Sequence, residues 1–253
     1  MTMQIFSGRG RNGESVNLPL SYRAHVKWLP HIGDIFPDFQ AGTTEGPLHF
    51  HDWAEGHWCV LFSLPGAFTP VCTTEMAGLA SAADEFAARD ARLLGLSHDS
   101  ITKLQAWNRD IRDLFGVDVG FPSVSDESGI LSSAFGMIHP HQNVVCTIRK
   151  TFIIDPALRV RMILEYPTEV GRNTDELLRI LDALRAAEEL GVVTPADWEP
   201  GDDLLLMPGH DLESPEAAAS YELVEPRSYL RVLRPLQAEV DPEDATPPAP
   251  AVA

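Results

Sequence analysis

The chain has 253 residues, 44% of them hydrophobic, and a formal net charge of −18 from 19 basic and 37 acidic side chains. That length and apolar content suffice for one large domain or two modest ones with a real core. The acidic balance argues against nucleic acid or an anionic membrane as the main partner, since both call for basic surface.

Residues 1–28, with the string Gly8-Arg9-Gly10-Arg11-Asn12-Gly13, show little periodicity and read as a flexible extension. Farther on, strands and helices alternate. Compact apolar runs at 59–64, 92–97, 151–154 and 160–164 read as strands, and patterns near 73–88, 101–115, 128–135 and 174–190 read as helices. In the first of these helices Met76, Leu79, Ala80, Ala83, Phe86 and Ala87 form one apolar stripe. The last has Thr174 as expected N-cap, Asp175 and Glu176 in its first turn and Gly191 at its end. Asp155-Pro156 marks a turn between two strands. This alternation predicts an α/β layered fold. Residues 235–253, rich in proline and carrying Glu239, Asp241, Glu243 and Asp244, read as a disordered acidic tail.

There are three cysteines, Cys59, Cys72 and Cys146, too few for a disulfide framework. No clustered Cys/His spacing suits a metal, no apolar leader segment opens the chain, and no run of 18 apolar residues occurs in it. The expectation is a soluble protein of a reducing, cytoplasmic setting, with no metal and no cofactor. His139-Pro140-His141 reads as a surface loop rather than a metal site, for want of a third ligand.

The stretch Pro65-Gly66-Ala67-Phe68-Thr69-Pro70-Val71-Cys72-Thr73-Thr74-Glu75 follows the buried strand pattern Cys59–Leu64 and precedes a helix. Cys72 thereby falls in a first helical turn, where unpaired N–H groups and the helix dipole favour a thiolate. Pro70 suits the first position of that helix, where its missing N–H costs little. Thr69 puts a hydroxyl three residues before the sulfur.

Pro65, Thr69 and Cys72 reproduce the Pro-x-x-x-Thr-x-x-Cys motif of the peroxiredoxins, and Phe68–Glu75 resembles the one-cysteine, peroxiredoxin-six-like subfamily. The resemblance continues in Ile32-Gly33-Asp34, Pro37-Asp38-Phe39 and Phe50-His51-Asp52-Trp53. It extends through Tyr166-Pro167, Gly171-Arg172-Asn173, Thr194-Pro195-Ala196-Asp197-Trp198 and Tyr229-Leu230-Arg231. It implies a thioredoxin-like fold with peroxiredoxin additions over 29–192 and a smaller C-terminal α+β domain over 193–234. It also implies a thiol-dependent peroxidase for hydrogen peroxide and alkyl hydroperoxides that works as a homodimer or larger assembly. Cys72 matches the attacking residue, Arg149 the arginine that reaches the thiolate, Pro65 the proline shielding the pocket, and Glu75 and Arg172 positions that support it.

No cysteine follows Cys146, and Cys59 reads as core, so a one-cysteine mechanism with an external thiol reductant is the simplest reading. A peroxide sensor or holdase, or a retooled enzyme acting on a specialised metabolite, would begin with the same oxidised thiol. The subfamily often has a histidine directly before the motif proline. Leu64 stands there in this chain and can neither donate a hydrogen bond nor titrate, which leaves the reductant open. Some relatives carry a proposed phospholipase triad that includes a histidine at the place of His51. Here its serine position is His57 and its aspartate position Ala157, so that activity is not expected.

Overall fold

A computed structural model describes residues 29–139, 146–212 and 214–236, with the backbone of 7–9 and 15–17. The expected N-terminal extension, the acidic tail beyond Leu236 and the loop residue His141 otherwise lie outside the described residues. The strands are β1 (Ser7–Arg9), β2 (Ser15–Asn17), β3 (Gln40–Thr43), β4 (Gly46–His49), β5 (Trp58–Ser63), β6 (Ala91–Ser97), β7 (Ser123–Ser125), β8 (Arg149–Ile154), β9 (Val160–Tyr166), β10 (Leu204–Leu206), β11 (Tyr221–Arg227) and β12 (Leu230–Pro235). The helices are α1 (Phe50–Ala54), α2 (Pro70–Ser81), α3 (Ala83–Ala88), α4 (Ile101–Phe115), α5 (Ile130–Ala134), α6 (Thr174–Leu190) and α7 (Pro215–Ala219). Two compact units result, one from Met1–Ala80 with Arg92–Gly171, the other from Ser81–Ala91 with Arg172–Ala253.

The first unit is organised on a seven-stranded mixed sheet of order β4-β3-β7-β6-β5-β8-β9. Strands β6 and β7 run parallel, while β5–β8, β8–β9, β3–β7 and β3–β4 are antiparallel pairs. All residues of β5 and β8 are buried, which is why Cys59–Phe62 and Phe152–Ile154 read as apolar runs rather than alternating ones. One face of the sheet carries Cys59, Leu61, Phe152 and Ile154, packed into a cluster with Phe36, Phe39, Phe50 and Phe135. Within that cluster ring centroids lie 4.8–5.5 Å apart. Such spacing is normal for aromatic pairs and adds to their area burial. Between β8 and β9, the Asp155 carboxylate accepts from the N–H groups of Ala157 and Arg159 and closes the expected turn. His51 bonds the Phe36 carbonyl through Nε2 at 2.7 Å and has a structural role there.

The second unit holds α3, α6, α7 and a three-stranded antiparallel sheet of order β10-β12-β11. Its core gathers Val192, Trp198, Leu204, Leu206 and Leu233. Arg89, the C-cap of α3, grips Asp182 on α6 through two bonds of 2.8 Å each.

Two local expectations are corrected. The single helix expected near 73–88 is two, α2 and α3, divided at Ala82. The apolar stripe therefore loses register, and Ala87 is exposed. Asn173, not Thr174, is the N-cap of α6: its backbone is extended and its side chain accepts from Glu176 N at 3.2 Å, while Thr174 is already helical. Asparagine is also the better cap of the two. The hairpin β3–β4 and the short β7 carried too few residues for a periodic signal.

Candidate active site

After β5 the chain runs through Leu64–Thr69 before α2 starts at Pro70. Leu64 is fully buried, and its N–H bonds Leu96 O at 2.8 Å. Its side chain packs near Gly95, so this leucine serves the sheet core. Pro65 is half-buried at the head of the loop. Phe68 takes the left-handed backbone region at φ 62° and is half exposed. That conformation costs a non-glycine residue roughly 1–2 kcal/mol, which the surrounding bonds must offset.

Those bonds come from four places. Thr69 Oγ1 donates to Gly66 O at 2.8 Å, closing the loop on itself. Ala67 N–H donates to Asp99 Oδ2 at 2.6 Å, and Ser97 Oγ donates to the same oxygen at 2.8 Å. Thr69 O accepts from both Thr73 N and Thr73 Oγ1, and Trp107 Nε1 donates to Thr73 Oγ1 at 3.1 Å. Burial alone would raise the Asp99 carboxyl, but the Lys103 ammonium, Ala67 N–H and Ser97 hydroxyl outweigh it and hold it below the usual carboxylate range.

Cys72 is the third residue of α2 and has no solvent exposure. Arg149, the first residue of β8, approaches its Sγ through a terminal nitrogen at 3.2 Å. The same nitrogen bonds Glu75 Oε2 at 2.6 Å, and both side chains of that ion pair are only 3% exposed. Nε and the other terminal nitrogen donate to Thr168 O at 3.0 and 2.7 Å. Glu75 lies three residues after Cys72, on the same face of α2, so it can fix the arginine beside the sulfur. Gly171 closes the far side: a Cβ there would sit 3.3 Å from Val71 Cγ1.

The structure thus joins Cys72, Glu75 and Arg149 in direct contact and holds Thr69 three residues upstream in a bonded loop. Arg172 is half-buried and opens the second compact unit. Sequence reasoning missed Asp99, Trp107 and Thr168. Asp99 belongs to none of the motifs singled out in the sequence, and Thr168 acts through its carbonyl, which no side-chain pattern announces. The other two thiols differ in kind. Complete burial pushes that of Cys59 far up. Cys146, partly buried, is also raised, first by burial and then by the charge of Cys72.

Chemically, four of the five N–H groups of Arg149 have acceptors on Cys72, Glu75 and Thr168. The fifth is available for an incoming oxygen. Thr69, whose proton is spent on Gly66, retains lone pairs that can accept an O–H. A buried sulfur, a fixed cation and a hydroxyl acceptor together suit in-line attack on an O–O bond. Among the described residues no group of His, Cys, Asp or Glu is arranged to hold a metal.

The sequence model of the AhpC/TSA family matches residues 32–163, and that of the C-terminal domain of 1-Cys peroxiredoxin matches residues 183–217. The mitochondrial peroxiredoxin PRX1 of Saccharomyces cerevisiae is 39% identical over 208 residues, covering 79% of each chain. Peroxiredoxin-6 of Sus scrofa is 37% identical over 79% of this chain and 95% of its own. Among solved structures, a yeast mitochondrial 1-Cys peroxiredoxin described for thiol resolving via glutathione/thioredoxin systems superimposes with a TM-score of 0.73. It is 37% identical and covers 81% of this chain and 99% of the other. Peroxiredoxin 6 of Arenicola marina gives a TM-score of 0.72 at 35% identity, over 82% and 99% of the two chains.

Proposed function

This chain belongs to the AhpC/TSA family, the peroxiredoxins, and is a thiol-dependent peroxidase; we propose the following assignment of roles to its residues. The Cys72 thiolate attacks one peroxide oxygen, the S–O bond forms as the O–O bond breaks, and the departing hydroxide or alkoxide takes up a proton, balancing the one lost when the thiol ionised, to leave as water or an alcohol. Cys72 is oxidised by two electrons to a sulfenic acid. Arg149 stabilises both the thiolate and the lengthening O–O bond, Thr69 accepts from the peroxide O–H, and Pro65 shields the pocket. Glu75 aims Arg149, and the resemblance assigns Arg172 a supporting role. The observation that carries this reading is the bond of 3.2 Å from Arg149 to Cys72 Sγ, held by the buried Glu75 ion pair.

Return to the thiol takes an external thiol: it displaces water from the sulfenic acid to form a mixed disulfide, which a second thiol then opens. A glutathione- or thioredoxin-type reductant, as named for the yeast structure, fits a chain with no cysteine after Cys146. Residues 29–192 carry the peroxidase chemistry and 193–234 form the C-terminal domain. We place the protein in the cytoplasm as a homodimer or larger homo-oligomer, with neither nucleic acid nor membrane as partner, in keeping with its net charge of −18.

Stopped-flow mixing of reduced protein with one equivalent of peroxide, followed by intact mass, tests the assignment. Cys72 gains one oxygen as peroxide disappears, and Cys72→Ser abolishes both. Peroxide loss without oxygen on Cys72 overturns it. Size-exclusion chromatography with light scattering tests the assembly.

A further inference from the structure

Beside the groups assigned above, four buried side-chain atoms among the described residues have no hydrogen-bond partner, Asn108 Oδ1, Ser123 Oγ, Thr147 Oγ1 and Trp198 Nε1, and of these Thr147 stands two residues before Arg149. Thr147 is 1% exposed, and its Oγ1 has no hydrogen-bond partner among the described residues. Buried hydroxyls are nearly always paired, because desolvation without a partner costs free energy. An orphan of this kind calls for an explanation.

Its position supplies one. Ile148, the next residue, spends its backbone in the manner of a strand: its N–H donates to Met137 O at 2.8 Å and its carbonyl accepts from Ser63 Oγ at 2.6 Å. In an extended chain, residues i and i+2 rise on the same face. Thr147 therefore shares the face of Arg149, the one on which the guanidinium meets Cys72. Cys146, one residue earlier, already feels the charges of both Cys72 and Arg149, so this stretch lies within electrostatic reach of the sulfur.

We propose that the Thr147 hydroxyl is a further binding group for the peroxide, pairing with the oxygen that is passed to Cys72. In the thiol state it faces no partner able to use it. A peroxide brings two oxygens and a proton, and the sulfenic acid keeps one oxygen in place. Arginine can only donate, whereas a threonine hydroxyl both donates and accepts. Thr147 thus supplies what Arg149 cannot, an acceptor on the Arg149 side of the sulfur, complementing Thr69 in the loop. Cys72 and Thr147 are both buried, at 0% and 1% exposure, so a peroxide reaches either only when the pocket opens.

The inference rests on Cys72 as the attacking thiol, which the serine variant tests separately: if Cys72→Ser still consumes peroxide, that assignment fails and Thr147 is not at issue. Thr147→Val keeps the shape and removes the hydroxyl, and Thr147→Ser keeps the hydroxyl. Both are made in the full chain and mixed in the reduced form with hydrogen peroxide and with tert-butyl hydroperoxide. The valine variant slows peroxide reaction about tenfold, the loss expected for one hydrogen bond in the transition state, while serine stays within about twofold of the parent. Melting of reduced Thr147→Val is unchanged or higher, since an unpaired hydroxyl has been removed, and the absorbance titration of the thiolate does not shift. A parental rate for Thr147→Val overturns the proposal. So does an equal loss in both variants, or a fall in rate that only tracks a fall in melting temperature.

Discussion

Strand β8 opens with two buried cations, and its two faces treat them differently. Arg149 is 2% exposed and Lys150 4%, yet alternation along the strand sends them to opposite sides of the sheet. Arg149 meets a carboxylate as buried as itself, a backbone carbonyl and a sulfur. Lys150 meets Glu165, directly across on β9, at 2.7 Å, but that carboxylate is 42% exposed. Its ammonium also reaches Gly136 O at 3.5 Å and stands 5.0 Å over the Phe152 ring. Burial alone therefore does not mark a working charge. A fixed fork whose donors are nearly all assigned can aim its remaining N–H, whereas an ammonium leaning on a half-solvated partner is a tether at the edge of the aromatic core.

Changing each face in turn tests that contrast. Arg149→Met has the largest effect after loss of Cys72 itself. It breaks the ion pair of 2.6 Å with the buried Glu75 carboxylate, so urea unfolding loses stability. The peroxide rate falls by roughly 10²–10³, as for removal of a preorganised donor. Arg149→Lys does not rescue the rate, since a point charge cannot bond Thr168, Glu75 and Cys72 together. Glu75→Gln comes next. The fork keeps an acceptor but loses the counter-charge, and stopped-flow traces slow about tenfold as Arg149 is aimed less well.

Asp99 gives a smaller, pH-dependent effect. Its folded carboxyl titrates below the unfolded value, so unfolding takes up a proton. The stability it contributes is complete above the ordinary carboxylate pKa of 3.8 and is lost as pH falls through the lower folded value. Asp99→Asn flattens this acid limb in urea melts recorded from pH 5 downward, and a limb equal to the parent's would show that other carboxylates dominate. Lys150→Leu is the smallest change. Glu165 can return to water, so stability moves by less than about 1 kcal/mol and the peroxide rate stays put. A rate loss here would erase the difference between the two faces.

What the sequence made legible follows from distance along the chain. Pro65, Thr69, Cys72 and Glu75 are contiguous and sit between a strand pattern and a helix pattern, so their geometry follows from local rules. Arg149 is 77 residues from Cys72, and its place beside the sulfur was accessible only through resemblance to a family. Asp99 reaches Ala67 from 32 residues away in sequence, and the Thr168 carbonyl is invisible to any reading of side chains. The division at Ala82 escaped because neither glycine nor proline announces it, and the apolar spacing carries on across it. Thr147 shows the limit most plainly: a threonine before a strand is unremarkable in sequence, and its missing partner, two residues before Arg149, is visible only in the structure.

The complete burial of Cys72 also sets a size ceiling on what can modify it. Hydrogen peroxide needs a small, brief opening, whereas an alkylating label such as iodoacetamide needs a wide one. The rate of alkylation of the native protein therefore counts how often the pocket opens fully, with Cys59 as a buried zero and the partly exposed Cys146 as an internal reference. A protein that exchanges oxygen readily with peroxide yet ignores the label would be acting as a sieve.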